Sequence, residues 1–320
     1  MCGSSLLAVA ALADVLIGDP PGWPHLIRVI GQTIGRLELW IRWQTACPPV
    51  LLAGGGFLIL VVVGGSWLAA WAAMGLASWI WAPLGWLLGL VITFQCLAAG
   101  QLYREAVKVV IPLRRGDLPA ARAALAMIVG RETKELDEAG IRRAVLETVA
   151  ENLGDGVVAP LFFLLLGGPP LALAYKAVNT LDSMVGYKQE PYTLLGRLPA
   201  RLDDVAGWIP ARLTGLLLVA AAPLVGLSAR EAFTAMSRDH GAHKSPNAGW
   251  PEAATAGALG VSFGGPNLYF GVMVEKDWIN PGAPAPADPH LNAGLDLYVV
   301  ASTLAMAASF LILWFWQGWW

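Results

Sequence analysis

The sequence predicts an all-α integral membrane protein with about four to five membrane-inserted helical segments, among them a re-entrant helical hairpin, and a cytoplasmic helical region. Three observations predict it. Hydrophobic residues make up 56% of the chain and charged residues only 14%, against about 25% charged in soluble domains. The mean hydropathy is +0.58. Apolar runs of about 20 residues, the length that crosses a bilayer core, recur along the chain. A formal net charge of -2 gives no electrostatic case for nucleic acid as a partner. No linker separates two halves, so one polytopic domain over residues 1–320 is expected.

The first apolar run, residues 4–17, is short for a span and has no basic segment before it, which disfavours a cleaved signal peptide. Residues 50 to about 73 and about 76 to 99 are long enough to cross and form a helical hairpin, with Trp67, Trp71, Trp79, Trp81 and Trp86 around its turn. Amphipathic rings favour the headgroup layer, so these tryptophans read as an interfacial belt. Nine Lys or Arg residues between Gln101 and Asp155 place that polar stretch in the cytoplasm by the positive-inside rule. Within this insertion, about 101–155, helices are expected over 118–129 and 132–150, the second beginning with acidic residues.

The next apolar run, 157–175, is broken by Gly167, Gly168, Pro169 and Pro170 into arms of about ten residues, too short to span separately. A re-entrant hairpin over about 157–182 is the expected solution. The run 206–227, interrupted by Pro210 and Pro223, crosses or bends back. Four prolines over 280–290 read as an extended surface loop. The last run, about 295–316, is a span whose exit is marked by Trp314, Trp316, Trp319 and Trp320.

Charged and amide side chains concentrate where hydrocarbon would make them costly, and such groups usually serve function. Glu147, Glu151 and Asp155 recur at i, i+4 and i+8, one stripe of a helix. The stripe reads either as a solvated face paired with Arg142 and Arg143 or as oxygen ligands of a divalent cation such as Mg²⁺. Asp203 and Asp204 are a second acidic pair beside Arg201. Lys176, Lys188, Arg197, Arg201 and Arg212 suit a polyphosphate or anchor anionic membrane lipid.

Ahead of Pro251, the segment with His240, His243, Lys244, Ser245 and Asn247 opens a helix whose exposed amides can hold an anion. The proline-fixed loop GDPPGWPH (18–25) offers Asp19 and His25 as site residues, or Asp19 as a turn cap. Cys2, Cys47 and Cys96 have neither metal-ligand nor redox spacing. No GxxxxGK[ST] string occurs, so a P-loop is not supported.

Six segments, taken together and in order, resemble one family. They are DVLIGDPPGWPH (14–25), ETVAENLGDGVVAP (147–160), YKAVNTLDSMVGYK (175–188), ARLDDVAGWIPARLT (200–214), SPNAGWPEAATAGALGV (245–261) and GGPNLYFG (264–271). The resemblance is to the adenosylcobinamide-phosphate synthases of cobalamin biosynthesis, CbiB or CobD. It implies an ATP- and Mg²⁺-dependent ligase of the inner membrane, multi-pass, with its active site toward the cytoplasm. Such an enzyme joins (R)-1-amino-2-propanol phosphate, or the unphosphorylated amino alcohol, to the free propionate of adenosylcobyric acid after ATP has activated that carboxylate as an acyl phosphate.

Carried onto the matched motifs, the resemblance implies Glu147, Glu151, Asp155 and Asp182 for metal and general base, and Lys176, Lys188, Arg201, Arg212 and Lys244 for phosphates. Asn152, Asn179 and Asn247 would orient amides or phosphate oxygens. Other membrane proteins of cobalamin assembly are implied as partners. Two other readings compete: a transporter, since broken helices with intramembrane charge also build transport sites, and a non-catalytic modulator of the AmpE type.

Overall fold

A computed structural model describes residues 3–20, 22–44, 47–187, 191–269 and 271–316. Cys2, Lys188, Trp319 and Trp320 lie outside the described residues. The chain is a multi-pass membrane protein of the all-α class, with almost no sheet. Five described helical stretches are long and apolar enough to cross a membrane: Pro48–Ile80, Ala82–Arg114, Glu138–Val185, Trp208–Val225 and Asp288–Trp316. Their outward apolar side chains, such as Leu60 at 71% and Leu76 at 60% exposure, suit hydrocarbon rather than water.

The chain falls into two compact units built from interleaved segments: Met1–Ala98, Ala159–Gly207 and Met306–Trp320 in the first, Ala99–Val158 and Trp208–Ala305 in the second.

In the first unit, Gly65–Ile80 and Ala82–Cys96 form a helical hairpin whose turn is at Trp81, later than the break expected between about 73 and 76. Trp81 between them is extended, and Pro83 starts the second helix. The helices approach closely because small residues face each other: a Cβ on Gly85 would lie 1.8 Å from Ser78 Oγ. The 157–175 run is helical to Val185 but broken where its glycines stand: Gly167 and Gly168 leave helical geometry, and Gly168 takes φ 70°, ψ -168°, a conformation open essentially to glycine. Two arms result, Ala159 to Leu166 and Pro169 to Val185. Leu26–Gln44 also folds as an amphipathic helix, burying Ile30, Ile34 and Ile41. Its apolar residues are few enough that no span-length run announces it.

In the second unit the polar stretch after residue 98 is helical over Ala99–Arg114 and Leu118–Leu125, shorter than the expected 118–129. The helix expected from 132 begins instead at Glu138, because Asp137 caps it by accepting from Gly140 N at 2.7 Å. The intervening turn is held elsewhere: Thr133 Oγ1 donates to Arg122 O at 3.0 Å, and Glu132 N donates to Leu268 O at 2.9 Å. Two short antiparallel pairs, Phe263–Gly264 with Trp278–Ile279 and Asn267–Tyr269 with Val272–Val274, were not expected from sequence. The proline-rich loop ends at residue 287, since Asp288 opens the last helix.

Candidate active site

The second unit encloses a cavity of about 250 Å³ whose walls carry both signs of charge. Arg131, Lys276, Glu151 and Glu252 line it, with His243, Asn152 and Thr148. Ordinary small-molecule pockets run to roughly 300–1,000 Å³, so this one suits a small polar ligand.

Each wall has a local reason. Glu138–Leu153 is enclosed over most of its circumference, burying Ile141, Val145, Leu146, Val149 and Leu153, and so carries Glu147 and Thr148 inward with them. Gly249–Leu259 is Ala- and Gly-rich, and Glu252 is its only charged residue. A Cβ on Gly257 would lie 2.4 Å from Glu231 O, so Ala229–Asp239 packs against this helix nearly backbone to backbone. Glu252 on this helix is only 4% exposed.

Glu147 is the buried anchor. Its Oε2 pairs with Arg131, and its Oε1 accepts from Gly264 N at 2.7 Å. Arg131 also donates to Asn267 Oδ1 at 2.9 Å. The side chains of Arg131 and Glu147 are 8% and 5% exposed. Gly264 must be glycine: its φ is 81°, and a Cβ would lie 2.3 Å from Asp277 O. The pair therefore ties the 126–137 turn and the 263–280 strap to the Glu138–Leu153 helix. Asn280 secures the far end of the strap by donating from N to Asp239 Oδ2 at 2.8 Å and from Nδ2 to Val261 O at 3.1 Å. Arg238, bonded to both oxygens of Asp239, holds that carboxyl below the usual range.

His243 accepts from Ser245 N through Nδ1 at 3.0 Å, and its Nε2 lies 3.9 Å from Glu252 Oε1. Burial, reinforced by the Lys276 charge, pushes His243 down to about 4, so the ring is neutral at neutral pH. Burial first, then the negative charges of Glu147 and Glu151, pushes Glu252 well above the ordinary carboxyl range, against the pull of Lys276 and Arg131.

The two groups have opposite linkage. His243 binds its proton more weakly folded than unfolded, so its contribution to stability is intact above about 6.5 and lost as pH falls toward 4. Glu252, with a raised value, contributes below its unfolded value near 4.5 and loses that contribution as pH rises through the folded one. Replacing His243 by Phe should therefore flatten the acid-side loss of thermal stability in detergent between about pH 7 and about pH 5. Equal losses in variant and unaltered protein would contradict this account.

Of the residues singled out in the sequence, the second unit gathers Glu151, Asn152 and His243 at this cavity, and Glu147 reaches it only through Arg131. Asn152 Nδ2 donates to Thr148 O at 3.0 Å. Asp155 follows one turn later in a π turn, Gly154–Val158, whose wider pitch relaxes the i+4 stripe. Ser245 Oγ accepts the amides of Asn247 and Ala248 at 3.2 and 3.3 Å, so these helix-start amides serve the fold. Asn247 is buried and Lys244 exposed. Arg212 lies over the rings of Trp208 and Trp250, 3.8 and 4.6 Å from their centroids.

The first unit gathers a smaller cluster. Asp19 Oδ2 and His25 Nε2 are 2.9 Å apart. Gln95 grips the same loop from both sides, accepting from Leu26 N at 2.8 Å and donating to Pro24 O at 3.0 Å. Burial lowers His25; the Asp19 charge opposes this, while Arg28 and Lys176 reinforce it. Asn179 and Asp182 follow Lys176 on Ala159–Val185. Gly186 N donates to Asp182 O at 2.7 Å, and a Cβ on Gly186 would lie 1.9 Å from Asp182 Oδ1. Arg201 is exposed on Arg197–Ala206. Among the described residues no three His, Cys, Asp or Glu side chains converge as a metal cage.

Arg131, Lys276, Glu252 and Asn267 were not assigned to the site from sequence. Lys276 sits between Glu275 and Asp277 in a polar loop and has no sequence signal. Glu252 and Asn267 did lie inside motif strings, which was a usable hint.

The CobD/Cbib protein family profile matches residues 7–298. The chain is 50% identical over 299 residues to "Cobalamin biosynthesis protein CobD" of Klebsiella pneumoniae, covering 93% of this chain and 94% of that protein. It is 48% identical, with the same coverage, to "Cobalamin biosynthesis protein CbiB" of Salmonella typhimurium and "Cobalamin biosynthesis protein CobD" of Citrobacter koseri. No solved structure matches it.

Proposed function

The chain belongs to the CobD/CbiB family, and on that premise we propose that it acts in cobalamin biosynthesis as an ATP- and Mg²⁺-dependent amide ligase. It joins (R)-1-amino-2-propanol phosphate, or the amino alcohol, to the free propionate of adenosylcobyric acid. One observation carries the reading: a small cavity holds two cations, Arg131 and Lys276, and two carboxylates, Glu151 and Glu252, within one wall set. An aminoalkyl phosphate carries the complementary charges, with the phosphate matched to the cations and the ammonium to the carboxylates. The cavity is too small for a nucleotide or corrinoid, which must present their reacting ends from outside it.

Lys276 sets the phosphate end, with Arg131 held in place by Glu147 and Asn267. Asn152 and Thr148 supply neutral polar groups on the same wall. Mg²⁺ fits a site without an all-protein cage, because it keeps waters and phosphate oxygens and takes only one or two carboxylates. Glu147 is occupied and Glu151 and Glu252 face the amine, so within this unit the ion would take its carboxylate from Asp155, while Asp182 is the candidate ligand of the first unit. Bound, the ion would supply charge neutralisation for phosphates. The nine Lys and Arg residues between Gln101 and Asp155 support a cytoplasmic position in the inner membrane, where ATP is supplied.

Purified protein with adenosylcobyric acid, aminopropanol phosphate and ATP-Mg²⁺ should yield the amide with consumption of ATP. A transporter or modulator would consume none under these conditions. Lys276→Met should raise KM for aminopropanol phosphate about 10–100-fold, the loss of one charged hydrogen bond of about 1.5–3 kcal/mol. KM for the unphosphorylated amino alcohol should change little. Equal effects on both amines would remove Lys276 from the phosphate end.

A further inference from the structure

We infer that Glu252 is the base that takes the proton from the amine substrate, an inference that rests on the ligation reading above. A primary amine reaches the enzyme as an ammonium and cannot attack until it has lost a proton, so a positioned acceptor is required. Glu252 is a buried carboxyl on the cavity wall whose oxygens, among the described residues, accept no hydrogen bond. Buried acceptors are normally satisfied within the protein. His243 Nε2 lies 3.9 Å from its Oε1.

The surroundings select Glu252 over its neighbours. Glu147 is held by Arg131 and Gly264. Glu151 lies on the same cavity but is only partly buried. The groups facing Glu252 are Glu147 and Glu151 from one helix, Arg131 from the preceding turn, Lys276 from the strap and His243. The two carboxylates and the burial raise its affinity for a proton, and the two cations keep its anionic form accessible. A carboxylate with raised proton affinity is a stronger acceptor than an ordinary one. Because His243 Nδ1 accepts from Ser245, the neutral ring carries its hydrogen on Nε2, the side facing Glu252.

In the reaction an ammonium proton passes to Glu252. The freed nitrogen pair forms the C–N bond at the acyl carbon of a mixed carboxylic-phosphoric anhydride. The bond from the acyl carbon to the bridging oxygen breaks, and its electron pair leaves on the phosphate. The second nitrogen proton goes to that phosphate, and Glu252 releases its own to water as the amide departs.

The test uses the full chain and two nucleophiles: aminopropanol phosphate, an ammonium at neutral pH, and hydroxylamine, which is largely unprotonated there. Glu252→Gln should lower kcat with aminopropanol phosphate by roughly 10²–10⁴-fold while hydroxamate formation stays near the unaltered rate. Glu252→Asp, which keeps the carboxylate, should retain part of the amide activity. Equal loss with both nucleophiles would make Glu252 merely structural, and full retention with both would make it dispensable; either overturns the inference. An unaltered protein that forms neither amide nor hydroxamate sinks the ligation reading itself, and this inference with it.

Discussion

Glu147→Ala is expected to destabilise the second unit by about 3–5 kcal/mol, because it leaves Arg131 buried with its countercharge removed. The same change orphans Gly264 N, which now donates to Glu147 Oε1 at 2.7 Å. For a unit of this size the thermal midpoint should fall by roughly 10 °C. Arg131→Ala should cost a similar amount, since Glu147 would keep only the Gly264 amide. The pair replaced together by methionines should recover part of the loss, as apolar substitutes for buried ion pairs often do. It should not recover all of it, because Gly264 N and Asn267 Oδ1 would lack partners, at about 1–3 kcal/mol each. Thermal unfolding of the purified protein in detergent measures this. Single variants within about 1 kcal/mol of the unaltered chain would show that the pair is not an anchor.

Asp155→Asn and Asp182→Asn are expected to cut ligation by at least about 10²-fold at cellular Mg²⁺ in whichever variant loses the ion's carboxylate. Each substitution removes charge and keeps shape, so membrane insertion and thermal stability should be unaltered. Titrating Mg²⁺ separates the two residues. The ligand's variant should regain activity at raised Mg²⁺, while a residue acting on the substrates should show a deficit that excess ion does not repair. Full activity in both variants at low Mg²⁺ would end the metal role for either carboxylate.

Parts of this molecule were legible because they follow from local chemistry. A span announces itself by about 20 apolar residues in succession, and the break at Gly167 and Gly168 was readable because glycine permits a backbone such as that of Gly168. The string from Glu147 led to Glu147, Glu151 and Asn152, and the polar segment ahead of Pro251 led to His243. The amphipathic helix Leu26–Gln44 escaped notice because its buried stripe of Ile30, Ile34 and Ile41 is thin. The helix expected from residue 132 starts late because Asp137 outcompetes the acidic residues before it as a cap.

What the sequence determined by itself was the solvent the chain is built for, the segments that enter it and the family to which it belongs, since hydropathy and motif order are properties of the chain in one dimension. Only the tertiary structure decided which charges meet. Arg131, Glu252 and Lys276 come from a turn, a small-residue helix and a polar loop; a motif string hinted at Glu252, but nothing local distinguishes Arg131 or Lys276 from a solvated surface charge. They become a site because the tight packing at Gly257 and the tie from Glu147 to Gly264 bring those segments around one small cavity. There, burial and neighbouring charge set whether each group holds a proton.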